Sequence, residues 1–375
     1  MIDSKLFKPL KVGKMVLQNR IAMAPLTRFR SDDSHVPLPI VAEYYAQRAS
    51  TPGTLLVSEA TFMSHASGGY DNVPGIYTQA QIDAWRRVTD AVHARDSHIY
   101  CQLWDLGRAA KPDVAAREGF AVRSSSATPM AEGAHVPVPL TTEEVRQKVR
   151  DYAQAARNAV AAGFDGVELH AANGYLIDQF IQDVCNTRTD EYGGSVENRS
   201  RFAVEVVRAV VDAVGADRVG IRLSPLSTFQ GMRMEDPVPQ FVDVISKIRG
   251  LGLAYLHLVR SQISGNQDVQ PRSLDSLDWA VEAWGDAPVL LAGGLTSLED
   301  ASEVVDRQYP ERDVVAVFGR YFISTPDLVF RLREGIPLNK YDRDTFYTPK
   351  SPAGYIDYPF SKEFEAKFGE QNLPN

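Results

Sequence analysis

The sequence predicts a single closed (β/α)8 barrel, and three observations predict it. Short runs rich in β-branched and apolar residues recur eight times along the 375 residues. Between them lie longer segments whose apolar residues fall at three- and four-residue steps, the spacing of one helix face. The strand-like runs are apolar on both faces, which implies a parallel sheet covered by helices. Eight such units favour closure over an open sheet. The length accommodates one large barrel as readily as two ordinary domains.

The units follow in order. RIAMAP (20–25) is the first strand, and a helix containing VAEYYAQRA follows it. TLLVSEA (54–60) leads into QAQIDAWRRVTDAVHARD, and HIYCQLW (98–104) into TEEVRQKVRDYAQAARNAVAAG. In that third helix Val145, Val149, Tyr152, Ala156 and Ala159 make one apolar stripe, and Gly163 supplies the stop. GFDGVELH (163–170) precedes SVENRSRFAVEVVRAVVDAVG, and RVGIRLSP (218–225) precedes VPQFVDVISKIRGLG. LAYLHLV (253–259) is followed by SLDSLDWAVEAWG, APVLLAGG (287–294) by TSLEDASEVVDRQ, and VVAVFGR (314–320) is the eighth strand. Two stretches, 105–140 and 226–236, show no period and are read as loops that shape the mouth.

Composition narrows the function classes. The 40 basic and 48 acidic residues leave a net charge of −8 with no dense Lys/Arg tract, which argues against nucleic-acid binding. Cys101 and Cys185 match no metal-site spacing and suit a reducing compartment. Among seven histidines the nearest pair, His93 and His98, lies five apart around a helix end, so no metal is expected. The start, MIDSKLFKPL, lacks a secretory apolar region, and no run approaches 18 apolar residues. A soluble cytoplasmic protein is expected, a monomer or homodimer acting on small molecules, without a membrane partner. GLGLAY (250–255) lacks the third glycine of a dinucleotide fingerprint and leads into a strand, so any cofactor must sit at the barrel mouth.

Barrels of this type place their site at the C-terminal strand ends. Polar residues crowd that edge: Thr27 after the first strand, Gln102 and Trp104 closing the third, His170 and Asn173 at the fourth, Arg222 in the fifth. Gly293 and Gly294 follow the seventh strand, and Gly319 and Arg320 the eighth. Glycines permit close backbone approach, and a guanidinium beside them suggests an anion in the last two loops. The stretch HAANGY (170–175) ends a buried strand on three polar side chains where a plain turn would suffice.

These residues carry a resemblance. The chain resembles the old yellow enzyme family of flavin-dependent ene-reductases, in the branch of the yeast enzymes and plant 12-oxophytodienoate reductases, and most nearly the fungal members that include ergot-alkaloid pathway reductases. The likeness runs from LFKPLKVGKMVLQNRIAMAPLTRFR through CQLWDLGRAA and GFDGVELHAANGYLIDQFIQDVCNTRTDEYGGSVENRSRF to VAVFGRYFISTPDL and YDRDTFYTPKSPAGYIDYPF. It covers essentially the whole chain.

The resemblance implies one domain, residues 1–375, holding non-covalent FMN at its mouth, with NADPH or NADH as reductant. It also implies that a C-terminal segment, about 336–375, folds back near that mouth. Thr27 would hydrogen-bond the flavin, with Pro25, Leu26 and Ala60 on the same wall. Gln102 would read the pyrimidine edge and Arg222 the locus where charge gathers on reduction. Gly293, Gly294, Gly319 and Arg320 would hold the phosphate, and Phe346 and Tyr347 would close over flavin and substrate. His170 and Asn173 are similar to the pair that grips a substrate carbonyl oxygen, Tyr175 to the proton donor, and Trp104 and Tyr70 to pocket shapers. An ene-reductase is therefore expected, adding hydride to the β-carbon and a proton from Tyr175 to the α-carbon.

Two positions depart from the family pattern. Many relatives carry a second histidine where this chain has Asn173, which keeps a donor amide. Yeast relatives tend to have glycine at Ala60. Tyr175 sets the chain apart from ergot-pathway members that have lost the tyrosine and isomerise. A flavin barrel working as a dehydrogenase or demethylase would be expected to bring clustered cysteines or a further nucleotide domain. A non-catalytic barrel serving as an interaction module would show no flavin absorbance.

Overall fold

In the computed structural model, which describes residues 4–265, 267–270 and 275–369, eight parallel strands close on themselves. They are β1 (Ile21–Met23), β2 (Leu55–Val57), β3 (His98–Trp104), β4 (Gly166–Ala171), β5 (Val219–Leu223), β6 (Tyr255–Val259), β7 (Val289–Ala292) and β8 (Val314–Phe318). Each pairs with the next, and β8 pairs with β1 through Val317 and Ala22, so the expected barrel is closed.

The outer ring comprises α1 (Ile40–Arg48), α2 (Gln79–His93), α3 (Thr142–Ala161), α4 (Val196–Val214), α5 (Val238–Arg249), α6 (Asp278–Trp284), α7 (Leu298–Ser302) and α8 (Leu328–Glu334). Local chemistry starts them where the pattern does. Thr78 with Gln81, and Thr141 with Glu144, form reciprocal capping boxes, while the Ser195 and Ser297 hydroxyls accept the third helical N–H of α4 and α7. The seventh crossover departs from the reading: α7 stops at Ser302, and residues Glu303–Gln308 widen into a π-helical turn.

The second strand is also shorter than its apolar run. It halts at Val57 and resumes at Thr61–Phe62 beside Leu103 and Trp104. Side chains replace the ladder in the gap. The Tyr45 hydroxyl accepts the Glu59 N–H at 2.7 Å, and the Ser58 hydroxyl accepts the Gln102 N–H at 3.1 Å.

The barrel floor is sealed by an antiparallel hairpin, Leu10–Val12 with Met15–Leu17. Its buried Leu10, Val12, Met15 and Leu17 form one cluster with Leu55, Tyr100, Tyr255, Leu290 and Val315. The Tyr100 and Tyr255 rings lie 5.4 Å apart there. They fit because the strands opposite them carry glycine: a Cβ at Gly166 would meet Tyr100 at 2.4 Å, and one at Gly220 would meet Tyr255 at 2.3 Å. The closed floor leaves the C-terminal mouth as the open end.

Candidate active site

A cavity of about 440 Å³ opens at that mouth, and it is lined by every residue the sequence singled out, from Pro25, Leu26 and Thr27 round to Phe346 and Tyr347. The size suits a small-molecule or cofactor pocket.

Its floor is a buried polar network set by strand register. Gln102 stands beside Glu168, and Arg222 beside both His170 and His257. The Gln102 Nε2 amide donates to Glu168 Oε1 at 2.8 Å, and His257 Nδ1 lies 2.8 Å from Glu168 Oε2. Burial opposes the Glu168 charge, but His257, Arg222 and Gln102 outweigh it and hold the carboxyl below its ordinary value. Burial, against the pull of Glu168, keeps His257 below its own. Glu168 is therefore a carboxylate and His257 a neutral ring donating from Nδ1.

The turn after β4 explains HAANGY. Asn173 adopts a left-handed backbone at φ 58° and Gly174 follows at φ 77°. The Asn173 N–H donates to Ser224 Oγ at 2.7 Å and the Gly174 N–H to Asp178 Oδ2 at 2.8 Å. This sharp return lays the Tyr175 ring edge-on to His170 at 4.8 Å and to Trp104 at 4.7 Å. Burial first, then the charge of Arg222, push the His170 imidazole well below its ordinary value, so it is neutral. Burial pushes the Tyr175 phenol above its own, so it stays protonated.

Above this turn the opening is aromatic. Phe29 packs against Tyr70 at 6.5 Å and Tyr347 at 5.7 Å, and Tyr70 against Trp104 at 5.8 Å. At the other end Gly293 and Gly294 have φ 107° and 70°, conformations that favour glycine. Arg320 opens a short helix, Arg320–Ser324, just beyond β8 instead of lying on the strand. Both of its terminal nitrogens bond Asp268, Nη1 at 2.7 Å.

Flavin mononucleotide fits this lining. Arg222 Nε, His170 Nδ1 and Trp104 Nε1 are buried without a hydrogen-bond partner in the protein, a state that buried donors seldom keep unless a ligand completes it. The cavity joins these polar atoms to an apolar wall of Ala24, Pro25 and Leu26 and to the glycine–arginine end. Among the described residues no cluster suits a metal ion, and no helix is long and apolar enough to cross a membrane.

Sequence reasoning missed part of the lining. Phe29, Lys111, Phe229 and Tyr321 face the cavity from segments with no period to read. Glu168 and His257 left a signal: Glu168 is two residues before His170 and so in the same phase of its strand, and His257 is the polar residue of an otherwise apolar strand.

Comparison with known proteins places this geometry. Residues 5–339 match the model of the NADH:flavin oxidoreductase / NADH oxidase family. The chain is 60% identical over 364 residues to a chanoclavine-I aldehyde reductase, fgaOx3, of Penicillium roqueforti, covering 96% of this chain and 98% of that protein. It is 52% identical over 370 residues to a probable inactive reductase, easA, of Epichloe festucae var. lolii, covering 97% of each. The crystal structure of an old yellow enzyme from Pichia sp. AKU4542 superposes with a TM-score of 0.88 at 40% identity, covering 96% of this chain and 94% of that one. With a closed barrel, a mouth that fits a flavin and likeness along nearly its whole length, the chain belongs to the FMN-dependent old yellow enzyme family and is an NAD(P)H-dependent oxidoreductase.

Proposed function

We propose that the protein is an ene-reductase that saturates the C=C bond of α,β-unsaturated carbonyl or nitro compounds at the expense of NADPH or NADH. The observation that carries this reading is the convergence of His170, Asn173 and Tyr175 from one turn on one side of the cavity. The name of the Penicillium relative supports an aldehyde as the carbonyl group held. Bound FMN would supply the two-electron chemistry that links oxidation of the nicotinamide to reduction of the substrate at its β-carbon.

The chain's residues supply the rest. Pro25, Leu26, Thr27, Ala60, Gln102, Arg222 and Phe346 would seat the ring system, with Gly293, Gly294, Gly319 and Arg320 at the phosphate. Glu168 accepts from the Gln102 amide nitrogen, so the Gln102 oxygen is left to accept from a ring N–H. Arg222, a cation beneath the site, favours negative charge above it. Trp104, Tyr70 and Tyr347 bound the substrate. His170, neutral, donates an N–H to the substrate's carbonyl oxygen together with the Asn173 amide, and charge building on that oxygen strengthens both bonds. Tyr175 then gives its proton to the α-carbon.

Tyr175→Phe tests the reading, because it removes the acid and keeps the ring that packs on Trp104 and His170. FMN content and oxidation of NAD(P)H should survive, while reoxidation by an enone falls by orders of magnitude in stopped flow. A nitroalkene should suffer less, since its nitronate leaves and takes its proton in water. Equal small losses for both would make Tyr175 a wall of the pocket.

A further inference from the structure

The lining of the cavity is cationic, although the chain as a whole carries a net charge of −8. Lys111, Arg222 and Arg320 line it, and no aspartate or glutamate does. Two of these cations already have acids. Arg320 bonds Asp268, and Arg222 lies within reach of the Glu168 charge. Lys111 has no carboxylate partner among the described residues.

Backbone bonds fix where that third cation stands. The Lys111 N–H donates to the Gly69 carbonyl at 3.1 Å, and the Lys111 carbonyl accepts the Ala115 N–H at 3.0 Å. Gly69, at φ 120°, comes so close that a Cβ there would meet the Cβ of Ala110 at 2.5 Å. Lys111 is thereby joined to the segment that carries Tyr70, and its ammonium lies over the Tyr70 ring, 5.6 Å from the centre. The side chain is exposed, so its charge stands at the rim, on the side where Tyr70 packs against Trp104 and Phe29. An acid-free mouth with an uncommitted cation at its edge draws anions, because low-dielectric walls focus the field.

The family's dependence on NAD(P)H supplies an anion that must cross this rim. The dihydronicotinamide reaches the site through the open mouth, since the floor hairpin closes the other end. With FMN already in the cavity, the diphosphate has to trail out over the edge, and the chain has no glycine fingerprint to take it. We infer that Lys111 is a recognition residue for the reductant: its ammonium receives a phosphate of NADPH or NADH where the dinucleotide leaves the cavity. The diphosphate is common to both reductants and the extra ribose phosphate belongs to NADPH alone; each presents Lys111 with the same kind of oxyanion. The inference needs only the NAD(P)H-dependent activity and is independent of the role given to Tyr175.

The FMN-loaded Lys111→Gln variant tests this in anaerobic stopped flow. Flavin reduction is followed over a range of concentrations of NADPH, of NADH and of N-benzyl dihydronicotinamide, which carries no phosphate. The Kd of NADPH should rise by about threefold to tenfold, the range between an exposed ion pair and a hydrogen bond to a charged group. That rise should be several-fold larger than any shown by the benzyl compound. Lys111→Arg should restore the parent value, and added salt should weaken NADPH binding to the parent more than to Lys111→Gln. A loss with NADPH alone assigns the extra ribose phosphate, and a loss with both dinucleotides assigns the diphosphate; each supports the inference. Equal losses for all three reductants would make Lys111 a wall of the pocket, and unchanged Kd values would make it a solvated surface charge; either result overturns the inference. If Lys111→Gln fails to fold, Lys111→Met is put through the same three reductants.

Discussion

At the scale of single residues, the site depends on keeping polar groups in defined states inside an apolar barrel. His170 is neutral because burial and the nearby Arg222 disfavour a second positive charge, and a neutral ring donates a hydrogen bond without attracting a counter-anion. If His170 and Asn173 together hold the developing oxyanion, His170→Ala with Asn173→Ala should slow enone reduction by more than the roughly 10²–10³-fold typical of one lost donor. FMN should stay bound, and rapid-mixing traces with a normal enone rate would refute the pairing. These residues were legible because polar side chains at the ends of apolar strands stand out against the pattern. Phe229 was not, because it reaches the cavity from an aperiodic loop. Arg320 was legible as a cation beside the glycines that line the cavity, but its bond to Asp268 was not, since nothing in the spacing brings residues 268 and 320 together.

At the scale of elements, helices and strands were legible because period and caps agree, whereas the reasons for small residues inside strands were hidden. GFDGVEL and RVGIRL each carry a glycine that weakens a strand on propensity alone. The fold supplies the reason: Gly166 and Gly220 make room for the rings of Tyr100 and Tyr255 above the floor hairpin. Both rings are fully buried and cannot swing into solvent. Gly220→Ala should therefore overpack the floor and cost about 1–3 kcal/mol, read as a lowered urea midpoint. The mouth lies at the opposite end of the strands, so the flavin spectrum of the folded fraction should not change. An unaltered midpoint would mean that the tyrosines repack freely. The break in β2 was equally hidden, because Ser58 and Glu59 interrupt an apolar run only through partners contributed by Gln102, Tyr45 and Arg28.

At the scale of the whole molecule, the chain's last described segment is tied to its first loops by buried arginines. Arg28 donates to the Phe346 and Gly354 carbonyls, Arg30 to those of Thr345, Ser351 and Ala353, and Arg48 to that of Tyr355. Tyr355 stacks on Tyr44 at 4.0 Å, and Arg48 lies over the Tyr44 ring at 3.7 Å. The arrangement that carries Phe346 and Tyr347 to the cavity thus concentrates positive charge against one buried acid, Glu59, which accepts the Arg28 N–H at 3.2 Å. Burial raises the Glu59 carboxyl from an ordinary 4.5 to about 7, against the pull of Arg28 and Arg30. A carboxyl raised in the folded state gives stability that is fully present below about 4.5 and lost as pH rises through about 7. The amount is on the order of 3 kcal/mol. Glu59→Gln, neutral at every pH, should therefore gain on the parent as pH rises from 5 to 8, in thermal melts run side by side at about half-unit steps. Asp178, which burial also lifts to about 7, leaves the variant some of the same slope, so the informative quantity is the difference between the two proteins. A difference flat across that range would mean that Glu59 stays ionised against Arg28 and Arg30, and that the strap is closed by a buried ion pair instead of by carbonyl bonds to cations alone.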